Sequence, residues 1–319
     1  MKLLAFIWLM LAHLFFLPAG SVYAQKSSLV VGYLATPALM GHFVADYSNY
    51  FREEGLDVLS VLFRGGVQVA QSVISGDAHI GLASPPELIT GINAGARIKG
   101  VWGTSNLMPF ALISRPNIRT VKDLKGKKLA VSSRGALSDF LTQHTLKQHG
   151  LDPSRDVTIL AVGGVPTRFA AILAGAVDAS LISAAHFAKA KREGLNFLVM
   201  LSDVIREWPL DLAYVREDFI AKRDRDLRAY LRAYSRGVIT AKADREVSIK
   251  SIQKILRYDR ESAAEGYDYY VKSIPEDGRI AEKGMDLLMD QLLESGAIKR
   301  RYAMSELIDY RYIGAAQRR

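Results

Sequence analysis

Ser132, Ser133, Arg134 and Gly135 stand in a row between an apolar run, Leu129-Ala130-Val131, and a helix-patterned segment over residues 136–149. A helix start leaves backbone N–H groups unpaired and carries partial positive charge, so it attracts anionic groups. The serine hydroxyls add donors, Gly135 permits close backbone approach, and Arg134 offers a two-pronged contact to a carboxylate, sulfonate or phosphonate. The plainer alternative is N-capping by Ser132 or Ser133, with Arg134 in water. Ser84-Pro85 forms a comparable turn, in which a rigid proline presents a hydroxyl. Thr36-Pro37 and Ser183 stand at other strand ends, and His186 follows closely on Ser183. Arg64 precedes Gly65-Gly66 and reaches either a cleft or solvent. The candidate ligand-binding residues are therefore Thr36, Pro37, Arg64, Gly65, Ser84, Pro85, Ser132, Ser133, Arg134, Gly135, Ser183 and His186.

Other chemistries are excluded or unsupported. The chain has no cysteine, which removes disulfides, thiolate metal sites, Fe–S clusters and a cysteine nucleophile together. His42, His79, His144, His149 and His186 lack metal-ligand spacing of the H-E-x-x-H kind. Gly65-Gly66 and Gly163-Gly164 fit neither phosphate-loop nor dinucleotide patterns. The expectation is no metal, no cofactor and no catalytic residue. The 319 residues carry a formal charge of +9, which suits an anionic ligand but chooses none.

The elements that must position these residues repeat. Residues 29–31, 42–54 and 58–63 read as strand, helix and strand; residues 129–131, 136–149 and 157–162 read the same way. Gly65-Gly66-Val67 then opens a helix pattern over 68–75, and Gly163-Gly164-Val165 opens one over 166–174. Short strands follow at 78–82 and 177–182. Each copy is thus β-α-β-α-β, and strands alternating with helices imply parallel sheets covered on both faces. Ligands in such sheets sit at the carboxyl ends of the strands, where the candidate residues lie. Residues 98–102, 110–114 and 210–215 also read as strands. The chain is expected to cross between lobes near 106–115 and to return near 206–215, forming a two-strand hinge. Leu227, Tyr230, Leu231, Tyr234 and Val238 begin a helical last third, expected to pack on lobe I.

Lys2, an apolar stretch over 3–17 broken by His13, and Val22-Tyr23-Ala24 compose a cleavable secretory signal peptide. Removing its 24 residues and single charge, Lys2, from 319 residues at +9 leaves 295 at +8. Export argues against a nucleic-acid partner. The domain expectation is 1–24 signal peptide, 25–110 first part of lobe I, 111–208 lobe II, and 209–319 return to lobe I with C-terminal helices.

Several segments carry a family resemblance. They are Phe51-Arg52-Glu53-Glu54-Gly55-Leu56-Asp57-Val58, Ser75-Gly76-Asp77-Ala78-His79-Ile80-Gly81-Leu82, Ser84-Pro85-Pro86-Glu87, Val121-Lys122-Asp123-Leu124-Lys125-Gly126-Lys127-Lys128-Leu129, Gly150-Leu151-Asp152-Pro153 and Leu173-Ala174-Gly175-Ala176-Val177-Asp178. In this order they resemble the substrate-binding proteins of ABC importers in the nitrate/sulfonate/taurine group, including thiamine-pyrimidine relatives. The resemblance implies the α/β type II periplasmic-binding-protein fold. It implies a monomeric periplasmic protein that closes on a small organic solute and delivers it to an inner-membrane permease with its ATPase. The alternatives are an enzyme on the same fold, whose cysteine-dependent forms this chain cannot be, and an exported ligand-binding partner of a sensor.

Overall fold

The computed structural model describes residues 27–108, 110–204 and 208–314. The expected signal peptide lies outside the described residues. The chain forms two five-stranded sheets. The first contains β1 (Ser27–Leu34), β2 (Leu56–Phe63), β3 (Ile80–Ala83), β4 (Ile98–Ser105) and β10 (Asp211–Arg216), in the order β2-β1-β3-β10-β4. The second contains β5 (Phe110–Ser114), β6 (Lys128–Val131), β7 (Thr158–Ala161), β8 (Ala179–Ser183) and β9 (Asn196–Met200), in the order β7-β6-β8-β5-β9. This is the expected α/β architecture of two lobes. The strand β1 is anchored by buried Leu29, Val31 and Tyr33 and pairs in parallel with β2, from Ser27 opposite Leu56 to Leu34 opposite Phe63.

The helices of the first lobe are α1 (Met40–Tyr47), α2 (Gly66–Ser75) and α3 (Pro85–Asn93). Their counterparts in the second are α4 (Leu137–Gln148), α5 (Val165–Leu173) and the shorter α6 (Phe187–Arg192). The helix expected over 42–54 is two pieces: α1 ends at Tyr47, and a single turn follows at Tyr50–Glu53. Asn49 between them has φ of 61°, the left-handed conformation that asparagine adopts more readily than most residues.

The sheets are mixed rather than purely parallel. In the first, β10 runs antiparallel to β3 and β4; in the second, β5 runs antiparallel to β8 and β9. The cause is topological. Each of these strands follows a passage from the other sheet, and it enters where the parallel strands have their carboxyl ends. A strand entering from that side must run the opposite way: Phe110 pairs with Ser183, the last residue of β8.

The C-terminal third continues with α7 (Glu217–Ala243), α8 (Arg245–Leu256), α9 (Arg260–Tyr270) and α10 (Glu282–Glu294). Helix α7 is interrupted at Arg223, whose φ of −136° is not helical. Its buried Tyr230, Tyr234 and Val238 cover α1 of the first lobe. Trp102 lies fully buried in the same core, edge-on to Tyr234. Helix α9 departs from the expectation by also touching the second lobe. It rests on Ala184–His186, and Glu261 accepts a two-pronged contact from Arg192 of α6. None of the helices among the described residues is long and apolar enough to cross a membrane.

Candidate functional site

The carboxyl ends of β1, β2 and β3 face those of β6, β7 and β8 across a cavity of about 70 Å³, room for a few waters or a small solute. The first lobe contributes Thr36, Phe63, Arg64, Gly65, Gly66, Ser84, Glu87, Leu210 and Asp211 among others. The second contributes Phe110, Ser132, Leu137, Ser138, Leu141, Gly164, Val165, Arg168 and Leu181. The walls are thus mainly apolar, with a few polar groups converging, which is the usual make-up of a small-molecule site.

Arg168 is the strongest of these groups. It sits in the first turn of α5 and is 2% exposed. Its Nε and Nη1 have no hydrogen-bond partner among the described residues. Burial lowers the guanidinium to about 10, so it remains charged at neutral pH. A buried cation without a counter-charge is costly. At a cavity wall, that cost becomes a demand for an anion.

Two carboxyl groups approach from the first lobe. Glu87 lies in the first turn of α3 and is buried. Its Oε1 accepts a 3.4 Å hydrogen bond from the backbone N–H of Leu137, the first residue of α4 in the other lobe. Its Oε2 has no partner among the described residues. Burial, with the nearby Asp211 charge as a lesser contribution, pushes Glu87 up to about 8. Burial likewise raises Asp211 to about 6, opposed by the Ser84 hydroxyl, which donates to Asp211 Oδ1 at 3.0 Å. Gly66 leaves room for Glu87: a Cβ there would stand 2.1 Å from Glu87 Oε1.

Of the residues singled out from sequence, Thr36, Arg64, Gly65, Ser84 and Ser132 line the cavity. Thr36 Oγ1 also accepts from the Ala38 N–H, and Ser132 Oγ shares a hydrogen bond with Ser138 Oγ at 2.9 Å. The others do not line it. Pro37 and Pro85 are buried first residues of helical turns. Ser133 faces the opposite lobe, its Oγ 3.1 Å from where a Cβ on Gly65 would be. Arg134 is 60% exposed and pairs with buried Asp139 at 3.1 Å, whose other oxygen accepts from the Gly135 N–H. The helix expected to begin directly after Gly135 starts instead at Leu137, with Ala136 as its cap. Its N-terminus has Glu87 and Asp139 as acidic neighbours. Ser183 is buried at the start of the Ala184–His186 turn. His186 is buried beside Phe169 and Tyr258, and burial lowers it to about 4, leaving it neutral at pH 7.

Sequence reasoning missed Arg168, Glu87 and Asp211. The internal repeat held two of the signals. Matching Gly65-Gly66-Val67 to Gly163-Gly164-Val165 places Arg168 opposite Ala70, a buried alanine. A charge at a core position of a repeat is a reason to look again. Matching Ser84 to Ser183 places Glu87 opposite His186, so the two copies put titratable groups at one equivalent position. Asp211 carried no comparable signal. Among the described residues, no group of three or more His, Asp or Glu is placed to hold a metal ion.

A family model described as NMT1/THI5 like matches residues 36–247. No curated protein matches the sequence significantly. Solved structures share the fold at low identity. The ligand-binding component of an ABC-type import system from Staphylococcus aureus, solved with zinc bound, superposes with a TM-score of 0.78 at 12% identity, covering 92% of this chain and 100% of that one. The alkanesulfonate-binding protein SsuA from Xanthomonas axonopodis pv. citri, bound to MOPS, gives 0.69 at 19% identity, covering 92% and 98%. The periplasmic aliphatic sulphonate binding protein SsuA from Escherichia coli gives 0.69 at 21% identity, covering 89% and 92%.

Proposed function

The chain belongs to the NMT1/THI5-like family, and from that premise we propose that it is the periplasmic solute-binding component of an ABC importer. It takes a small organic anion into the cavity between its lobes and presents it to a membrane permease driven by an ATPase. The observation that carries this reading is Arg168, a buried guanidinium with unpartnered N–H groups at the wall of an interlobe cavity. Apolar walls from Phe63, Phe110, Leu137 and Leu181 suit the organic part of the solute. The solved relatives named as sulfonate-binding support the anion. Export by residues 1–24 and a monomeric state complete the proposal. Arg64, Gly65, Ser84 and Ser132 contact the solute directly, and the turns around Ser133, Arg134 and Ser183 hold the site's shape.

Two further considerations support binding without turnover. The chain has no cysteine, so cysteine-dependent chemistry is closed to it. Among the described residues, the polar groups at the cavity include no serine paired with a histidine, the arrangement of serine–histidine catalysis. The test is a titration of the purified protein with sulfonates, carboxylates, phosphonates and pyrimidines. The expectation is saturable binding of at least one organic anion, recovered chemically unchanged. Failure of every anion to raise the melting temperature, or recovery of a product, sinks the proposal.

A further inference from the structure

Helix α9 is fastened to the first lobe and also grips the second. Arg245 of α8 makes a two-pronged contact with Asp268 of α9, and Arg260 of α9 makes another with Glu246 of α8. Helix α8 in turn packs on α1 of the first lobe. From this anchorage α9 reaches the second lobe at several points. Glu261 accepts from Arg192, the Ala188 N–H donates to Glu265 Oε2 at 3.4 Å, and Tyr269 meets Phe187 edge-on at 6.0 Å. Just before the helix, Tyr258 meets His186 edge-on at 5.3 Å. Gly266 lies between both lobes. A Cβ there would stand 2.5 Å from Pro37 Cγ in the first and 3.3 Å from Ala185 Cβ in the second. Its missing side chain lets one helix touch both. Helix α10 adds a second grip. It packs on α3 of the first lobe, and the Gln291 side-chain amide lies 3.2 Å from His144 Nδ1 on α4 of the second.

The lobes are joined by two passages of chain, between β4 and β5 and between β9 and β10. Such a hinge lets the lobes part. Because α9 and α10 are packed on the first lobe, parting breaks the contacts they make with the second. Contacts present in only one of two states bias the equilibrium toward that state. We propose that α9 and α10 form an interlobe clasp that stabilises the closed arrangement, so that closure is favoured by the chain's own C-terminal helices as well as by the solute. This goes beyond the solute-binding reading and does not depend on which solute is bound.

The experiment measures the distance between the lobes. The chain has no cysteine, so Asp57→Cys with Thr158→Cys gives a unique pair of sites for spin labels. Both positions are exposed, on β2 and β7, the strands at the end of each sheet farthest from the two passages. Double electron–electron resonance on the ligand-free protein then reads the open-to-closed ratio. Glu261→Ala with Tyr269→Ala should raise that ratio about tenfold, the combined effect of a surface ion pair and an aromatic contact. Gly266→Ala, which wedges a methyl group between α9 and Pro37, and Gln291→Ala, at the second grip, should each raise it as well. Arg155→Ala breaks an exposed ion pair with Asp152 inside the second lobe and should leave it unchanged. An unchanged distribution in the two α9 variants overturns the clasp, as does an equal shift in Arg155→Ala. The solute-binding reading survives either result, because no ligand enters the measurement.

Discussion

Glu87 Oε1 lies 3.4 Å from the backbone nitrogen of Leu137, so the first turn of a helix in one lobe is tied to the first turn of a helix in the other. The first N–H groups of a helix have no partner within it, and its dipole favours an acidic neighbour. Here that neighbour comes from across the cleft. The same side chain therefore takes part in closing the lobes and in lining the cavity between them.

A pH dependence follows from the burial of Glu87. With its carboxyl pushed up to about 8, the folded protein holds a proton that the unfolded chain gives up at the usual carboxylate range. That contribution to stability is complete at low pH and is lost as pH rises toward 8. Asp211, raised to about 6, acts in the same direction over a narrower window. Buried His42 and His186, lowered to about 3 and 4, act oppositely between those values and the ordinary histidine range. Comparing the protein with Glu87→Gln cancels these other groups. The stability of Glu87→Gln relative to the parent should climb between pH 5 and pH 8, by up to about 1.4 kcal/mol per pH unit, the limit for one proton. Thermal unfolding of the ligand-free proteins across this range checks it, and parallel profiles would contradict it.

Arg168 sets stability against binding. Replacing the unpartnered guanidinium by an apolar chain of similar length removes a buried, uncompensated charge. Arg168→Met should stabilise the ligand-free protein by about 1–3 kcal/mol, and should weaken any bound anion by about 100-fold or more. Arg134→Ala is the informative contrast. Arg134 is exposed and acts on Asp139, so its loss should weaken binding by a smaller factor and should not stabilise. Urea unfolding and titration of both variants decide it. An Arg168→Met protein that is less stable and binds normally would remove the anion site.

How far the sequence exposed this site depends on where each signal was stored. The duplicated β-α-β-α-β pattern is local periodicity, so the lobes and the strand ends could be placed from the common order and near-constant offset of several matched segments, Gly65-Gly66-Val67 with Gly163-Gly164-Val165 among them. The antiparallel courses of β5 and β10 depend on which side of a sheet a strand enters, which no local pattern records. Serines before helices were visible because capping residues have a sequence signature. Arg168 and Glu87 stand out only when the two copies are compared; taken alone both read as ordinary helix-surface charges, and only tertiary packing turns them inward. Asp211 begins a strand far along the chain and meets Ser84 only through the sheet register.

Gly66 tests the crowding around Glu87. A methyl group there would stand 2.1 Å from Oε1 and 2.7 Å from the carboxyl carbon, so the Glu87 side chain must move and release Leu137. Gly66 is the first residue of α2, where alanine gains less than the roughly 1 kcal/mol of a helix interior. Gly66→Ala should nevertheless fail to stabilise and should weaken ligand binding by about tenfold, roughly 1.4 kcal/mol. Shortening the neighbour should relieve it. Gly66→Ala with Glu87→Asp should lose less than the sum of the two single changes, a coupling expected of residues in contact. Strict additivity in a double-mutant cycle would show that the two residues do not constrain each other.

Proton uptake and release offer a view of Glu87 that a structural role would not mimic. At pH 7 the ligand-free protein carries Glu87 mostly as the neutral acid, because its titration lies near 8. An anion placed in the same cavity opposes ionisation and raises that value. Binding of an organic anion should therefore make Glu87 take up a proton fraction that is small at pH 7 and grows as pH rises toward 8. Calorimetry in phosphate and in Tris, whose ionisation heats differ widely, measures the number directly from the change in apparent enthalpy. In Glu87→Gln the uptake at pH 8 should fall, leaving only what Asp211 contributes, since added negative charge raises neighbouring carboxyl groups. Proton release, or uptake at pH 8 of equal size in the parent and Glu87→Gln, would assign the proton to some other group.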